Sequence, residues 1–495
     1  MRKILLLFGF TIIGILGIEI CAQAPFDDNE TAKLRKFLLQ ESAEPGVKNY
    51  QQLGIADINN VNWATVPGLS WNSQTYLIER LYWQNRKLSG NADFSDFSAL
   101  RFLYLANNEI KSVNVRNASS LIQLDLYEND LDYIDVETNI SLELLRLGYN
   151  NLTSIDVSNN VALKELCCTY NQIESLNVTD KANFRSLLCL NNGLKSLVIE
   201  NCPRLDELVC GHNDLTSLDL SNLYSLRTFS CVFNDITDLN FYNCTSLSEV
   251  LCDRNQLQSL DFSYCENLAT LSCEYNELTE LKIKECKKLK VLKCKRNSLD
   301  NLDFADGIKL STLWCEYNYL DFLTLLDPSA VLDSYIFNPQ AYIDLDCKYD
   351  SIDLQHIYEV YDNTSIFTWQ YKLLPIRPQH EDAGVFSFDE SYIGETFLCR
   401  VENSTFPRLV MHYNITLSLD DVSNINPEQE KTSVYANGGY VYVDTPVAAD
   451  MRVYSLQGGL MMKKSVGEGR SIIPFDPGIY IVTLNGKGGY KVVVR

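Results

Sequence analysis

One asparagine recurs every 21 residues without a slip, at Asn108, Asn129, Asn150, Asn171, Asn192, Asn213, Asn234, Asn255, Asn276, Asn297 and Asn318. An apolar residue, leucine in most copies, stands eight, five and three positions before each Asn and two and five after it. Positions five and three before the Asn alternate as a strand does, so both face one side. The positions six, four, two and one before it are then expected to face out. No single turn can bury its own leucines, so consecutive turns must stack. At roughly 4.8 Å per strand, eleven turns give a parallel sheet about 50 Å long. A buried Asn amide both donates and accepts, which fits it to backbone groups left open where the chain bends away. The asparagines are therefore read as structural.

One copy runs Leu163-Lys164-Glu165-Leu166-Cys167-Cys168-Thr169-Tyr170-Asn171-Gln172-Ile173. This Leu-x-x-Leu-x-[Leu/Cys]-x-x-Asn-x-Leu order at such a period resembles the leucine-rich-repeat signature. The resemblance implies a mainly β, α+β solenoid with a parallel concave sheet over residues 91–327. A degenerate first repeat, Ile78-x-x-Leu81-x-Trp83-x-x-Arg86-x-Leu88, carries Arg in the Asn slot. Residues 25–90 are expected to cap the open end of the core, with a helix over Asn29–Gln40 and Trp63, Trp71 and Trp83 as cap core. The passage from Ser70 to Gly90 resembles the N-terminal caps of such repeats.

The cysteines follow the same ladder. Eight of the 16, Cys168, Cys189, Cys210, Cys231, Cys252, Cys273, Cys294 and Cys315, lie three before successive asparagines. Cys202, Cys244, Cys265 and Cys286 form a second column eleven before it. In-register neighbours about 4.8 Å apart lie beyond the usual Cβ separation of a disulfide, and a straight column cannot converge on one metal ion. The thiols read as small buried hydrophobes, with no metal and no cofactor expected.

Residues 1–24 read as an export signal: Arg2-Lys3, an apolar run from Ile4 to Ile18, then Cys21-Ala22-Gln23-Ala24. The expected location is the cell surface or the medium, with no membrane insertion of the mature chain. Net charge is −22, which disfavours nucleic acid and anionic lipid as partners. Past Leu325 the 21-residue pattern stops, and alternating runs suggest a small β-sandwich over 328–419. Cys347, Trp369 and Cys399 resemble the Cys…Trp…Cys order of immunoglobulin-like domains, with Phe397 in place of the expected corner tyrosine. Export would permit a Cys347–Cys399 bridge there. Residues 420–433 read as a polar linker. Residues 434–495 resemble the C-terminal sorting domain of type IX secretion substrates, through Val453-Tyr454-Ser455-Leu456-Gln457-Gly458, Gly478-Ile479-Tyr480-Ile481-Val482 and Lys491-Val492-Val493-Val494-Arg495. That family's Pro-rich entry motif is missing, with Val434 to Gly439 in its place. The resemblance implies secretion machinery as a partner. As a whole the chain is similar to Bacteroidota surface leucine-rich-repeat proteins with internalin-like repeats, a class generally of adhesion or recognition proteins.

Nothing in the sequence points to catalysis. The four histidines are scattered, and no H-E-x-x-H, G-x-S-x-G or phosphate-binding loop occurs. The candidate site is the face opposite the leucines. Tyr149, Tyr170, Phe233, Tyr275 and Tyr317 stand one before the Asn, interspersed with His212, Arg254 and Arg296. Tyr104, Lys293 and Trp314 stand four before it, and Tyr127 two before. Rows of aromatics on a rigid sheet offer contact area at little entropic cost. Lys282, Lys284, Lys287, Lys288, Lys290, Lys293, Lys295 and Arg296 crowd two adjacent repeats of an acidic chain. Three functions fit: binding a protein on the concave face, binding a glycan there, or serving as a spacer without a ligand.

Overall fold

The computed structural model describes residues 26–348, 351–418, 433–437, 440–445, 449–455, 460–466, 469–474, 478–484 and 487–494. The export signal and nearly all of the linker lie outside these. The chain divides into two compact units. One comprises residues 26–343 with Glu359–Phe367 and Arg400–His412; the other takes Asp344–Tyr358, Thr368–Cys399 and the strands from Tyr413 on.

The first unit is a leucine-rich-repeat solenoid. Among the described residues its concave sheet has 14 strands. Leu69–Trp71 runs antiparallel to Ile78–Tyr82, and from there every neighbour is parallel, out to Val331–Ile336. Register follows the period: Leu166 pairs with Leu187, and Leu187 with Leu208. Most of these strands are three residues long, spanning six to four before the Asn, with the middle leucine buried. On the far side of the coil, short parallel pairs form, such as Ser175–Asn177 with Ser196–Val198 and Ser259–Asp261 with Glu280–Lys282.

Each of the eleven Asn amides ties two turns together. Asn171 Nδ2 donates to Cys168 O in its own turn at 3.1 Å and to Leu147 O in the turn before at 2.9 Å. Its Oδ1 accepts from Leu152 N at 2.9 Å. Beneath them, the eight cysteines of the first column are fully buried and unbridged, in the slot that Leu105, Leu126 and Leu147 fill earlier. Burial in a low-dielectric core pushes these thiols up, Cys210 to about 12, so they stay protonated.

The second column is polar throughout part of its length. Asn139, Asn160 and Lys181 precede Cys202 in it. Asn160 donates to Val136 O at 3.0 Å, Lys181 Nζ to Val157 O at 2.8 Å and Cys202 Sγ to Val178 O at 3.1 Å. Each bond spans 24 residues, so in these three turns the equivalent backbone carbonyl is served by whichever donor the slot holds, while Leu223 in the next turn supplies none. Cys202 and Cys244, the latter donating to Leu220 O at 3.2 Å, are thus donors as well as filler. Lys181 is fully buried, and burial draws its ammonium below the usual lysine range.

The coil continues one turn past the point where the periodicity stops. Val331–Ile336 pairs with Leu310–Trp314, and Gln340 takes the Asn slot. Its Nε2 donates to Cys315 O at 3.0 Å and its Oε1 accepts from Leu320 N at 3.2 Å. Tyr335 and Phe337 stand five and three before it, so the turn obeys the pattern at a spacing of 22 from Asn318. A register irregularity between Leu310 and Thr312 lies in the strand that precedes this turn.

At the N-terminal end, helix Asp28–Leu38 is capped by Asp27 Oδ1 on Glu30 N at 2.8 Å. It buries Leu34, Phe37 and Leu38 against the first turn, and Trp63 and Trp83 are buried there too. Trp83 Nε1 donates to Pro67 O at 2.8 Å, and Trp71 Nε1 to Trp63 O at 3.3 Å.

Beyond the solenoid the described chain is mostly β. A five-stranded sheet runs Ile343–Lys348, Val410–Ser418, Thr396–Glu402, Ile366–Tyr371, Leu374–Ile376, and a three-stranded one Ile352–Asp353, Val385–Ser387, His380–Asp382. Trp369 packs edge-on against Phe386 and Phe388 at 4.9 Å. The expected Cys347–Cys399 bridge does not form. The two cysteines lie in one sheet with Val410–Ser418 between their strands, about 9.6 Å apart by strand spacing, beyond disulfide reach. Toward the C-terminus, Ser433–Asn437, Tyr440–Thr445 and Gly469–Pro474 form one antiparallel sheet. Leu460–Val466, Ala449–Ser455, Gly478–Leu484 and Lys487–Val494 form another. Val441, Val443, Met451, Val453, Val466, Ile473, Tyr480 and Val482 make their common core.

Candidate interaction surface on the solenoid

The residue before each ladder Asn does not lie on the sheet, as its spacing suggested. From Asn107 to Tyr317 all eleven adopt a left-handed backbone with φ between 52° and 59°. A non-glycine residue there costs roughly 1–2 kcal/mol, so something must hold it. Bonds between turns do so: Tyr149 N donates to Thr169 O at 2.9 Å, and Asn150 N to Tyr170 O at 3.3 Å. The turn lifts these side chains to a rim just past the strand's C-terminal end. Tyr149 and Tyr170 remain 42 % exposed, Phe233 45 % and Tyr317 42 %.

Along that rim the side chains pile in two runs. Tyr149 stacks on Tyr170 at 4.2 Å, with Tyr127 edge-on to Tyr149 at 5.2 Å. Partial burial and the Tyr170 hydroxyl push the Tyr149 phenol up to about 12. Asn191 then interrupts the rings. The second run opens with two rings and then alternates ring and guanidinium without a gap. His212 stacks on Phe233 at 4.4 Å, Arg254 lies 5.0 Å from Phe233 and 4.2 Å from Tyr275, and Arg296 lies 5.5 Å from Tyr275 and 4.5 Å from Tyr317.

The structure thus brings Phe233, Tyr275, Arg296 and Tyr317 into one column, and Tyr127, Tyr149 and Tyr170 into another. Tyr104 belongs to neither, stacking on Tyr82 at 5.0 Å with its hydroxyl donating to Gln123 Oε1. Trp314 sits on the sheet under Lys293 Nζ at 4.2 Å, and its Nε1 donates to Ser334 Oγ at 2.9 Å.

His212 and Arg254 prove integral to the pile, and the position-specific column was the signal for both. A second feature went unread. Two before the Asn stand Asp253, Glu274, Lys295 and Glu316 in successive turns. Ser272 Oγ and Glu274 N both donate to Asp253 Oδ1, at 2.7 and 2.6 Å. Lys295 pairs with Glu316 at 3.4 Å. Burial raises the Asp253 carboxyl, and burial with the Asp253 charge raises that of Glu274.

No protein-family model matches this chain, and no curated protein matches it. Solved structures do. The functional domain of InlJ from Listeria monocytogenes, described as including a cysteine ladder, is 18 % identical over 67 % of this chain and 92 % of its own, with a TM-score of 0.37. YopM, a leucine-rich effector of Yersinia pestis, is 24 % identical over 50 % of this chain and 75 % of its own, at 0.40. The ectodomain of the Arabidopsis thaliana receptor kinase GASSHO1, solved with CASPARIAN STRIP INTEGRITY FACTOR 2, is 17 % identical over 64 % and 50 %, at 0.44.

Proposed function

We propose that this chain is a non-enzymatic recognition protein that binds a protein partner along the rim and concave face of its solenoid. The observation that carries the reading is the unbroken pile of His212, Phe233, Arg254, Tyr275, Arg296 and Tyr317, ring and guanidinium alternating from Phe233 on. Rings and guanidinium groups already held by one another lose little freedom on binding, and tyrosine, tryptophan and arginine dominate protein hot spots. Tyr104, Tyr127, Tyr149, Tyr170, Trp314 and Lys293 extend the contact area. In this reading the chain acts as an adhesin or receptor at the cell surface or in the medium. The sequence motifs at residues 1–24 and 434–495 support export and sorting by type IX machinery.

Probing protein and glycan arrays with the full chain tests the reading. Protein hits should weaken at least about tenfold in Tyr275→Ala and in Arg296→Ala, the loss expected of a hot-spot residue. Hits that are all glycans, or that both variants retain in full, refute it. Deleting residues 434–495 should abolish surface display; unchanged display refutes the sorting role.

A further inference from the structure

A second surface, at the opposite end of the concave strands from the rim, carries different chemistry. Lys288 and Lys309 stand nine before the ladder Asn in consecutive turns, and Ala269 and Lys290 stand seven before it. With Lys287, Ile308 and their neighbours they line an open cavity of 590 Å³. Its wall is interrupted at Gly307, which occupies the slot that Cys244, Cys265 and Cys286 fill in earlier turns. A Cβ added there would meet nothing within 4 Å.

Charge pairing changes across the edge of this cavity. Outside it, Lys282 lies 3.4 Å from Asp261 and 3.5 Å from Glu280, and Lys284 lies 3.0 Å from Asp303. Inside it, among the described residues, only Lys287 pairs with a carboxylate, Glu285 at 3.6 Å. Lys288 donates to the neutral Asn267 Oδ1 at 2.6 Å, and Lys309 reaches Ser329 O at 3.5 Å. Lys290 has no side-chain partner among the described residues. Asp306 is the one acidic side chain in the wall. A chain of net charge −22 therefore leaves a group of cations uncompensated in this lysine-rich cleft.

We propose that this cleft binds a sulfated saccharide. Its volume falls in the range of small-molecule sites, roughly 300–1,000 Å³, well beyond what a lone oxyanion fills. Lysine is a compact charge on a flexible stem, suited to sulfate groups whose orientation varies along a sugar chain. Ala269 and the exposed lysine stems, with Leu289 and Ile308 buried beneath them, give the lining an apolar part for the C–H face of a pyranose ring. Arginine and aromatic residues, which mark protein hot spots, are missing from this lining.

The test uses the full chain and a heparin-derived hexasaccharide, its desulfated counterpart, inorganic sulfate and a polyglutamate of matched charge, by calorimetry at two salt concentrations. The sulfated saccharide should bind, more weakly at higher salt, and the desulfated one should not. Lys288→Glu with Lys309→Glu should lower affinity at least about tenfold. Lys195→Glu, on a distant turn, and Tyr275→Ala, on the rim, should leave it unchanged. The last comparison separates this site from the rim, since either can fail alone. Equal binding of the desulfated sugar, polyglutamate as tight as the saccharide, or inorganic sulfate competing at equal concentration overturns the proposal. So does full affinity in the double variant. These lysines are exposed, so the variants should keep the parent Tm.

Discussion

Replacing Asn234 by alanine isolates what one amide in the ladder contributes. Its Nδ2 donates to Cys210 O at 3.1 Å and Cys231 O at 3.0 Å, and its Oδ1 accepts from Leu215 N at 3.0 Å. The three lost bonds are not equivalent. Cys210 O still receives Asn213 Nδ2, and Cys231 O still receives Asn255 Nδ2. Only the Leu215 N–H is orphaned, because Asn234 is its acceptor. An orphaned buried donor costs about 1–3 kcal/mol, and each of two partly compensated carbonyls about 0.5 kcal/mol. The expected loss is about 2–4 kcal/mol in urea unfolding. Native-state hydrogen exchange should show the Leu215 amide opening by a comparable amount, while Leu257 N–H, bound to Asn276, keeps its protection. Asn234→Asp keeps the acceptor but turns a carboxylate on two carbonyls, so it should be worse than alanine at pH 7 and recover on acidification. A loss below about 1 kcal/mol with Leu215 still protected would refute the reasoning.

Other consequences follow from buried and strained groups. Lys181→Asn restores the donor that precedes it in the column and removes a buried ammonium, so unfolding free energy should rise by about 1–2 kcal/mol at pH 7; a decrease contradicts the account. Glu30 Oε2 accepts from Ile78 N at 2.8 Å, but burial raises this carboxyl from 4.5 to about 7. Between those values the folded chain holds a proton that the unfolded chain has released, so stability falls as pH rises through the window. The loss is complete above it. Glu30→Gln should abolish about 1–2 kcal/mol of that dependence, visible as a flatter profile of Tm against pH from 4.5 to 8. Tyr149→Ala and Tyr170→Ala in a double-mutant cycle should couple by about 0.5–1.5 kcal/mol, and additivity would mean the stack is incidental. Glu128→Asn, at φ 56°, should stabilise by about 0.5–1 kcal/mol in the same denaturation assay.

The coil was legible because its determinants are periodic: one leucine, one thiol and one amide per turn define strand, core and ladder. What escaped was whatever broke the count or depended on backbone geometry. The last turn hid because Gln340 arrives one residue late and with a longer side chain, though Tyr335 and Phe337 kept their places relative to it. The left-handed corners were invisible because Tyr, Phe, Arg and Glu occupy most of them, none of which announces a positive φ, and Asn107, Asn191 and His212 are too few to set a pattern. Bonds between turns impose it instead. The Cys–Trp–Cys order of residues 347–399 misled because spacing along a chain does not say whether two strands share a sheet.

The corner before each asparagine has one further implication. Its shape is imposed by the backbone of the turns beside it, so the identity of the side chain hardly matters to the coil. Eleven such places in a row behave like interchangeable beads on a fixed wire. A lineage could rewrite what this surface recognises bead by bead, with small consequences for folding at each step and coupling only where neighbouring rings stack, as Tyr149 and Tyr170 do.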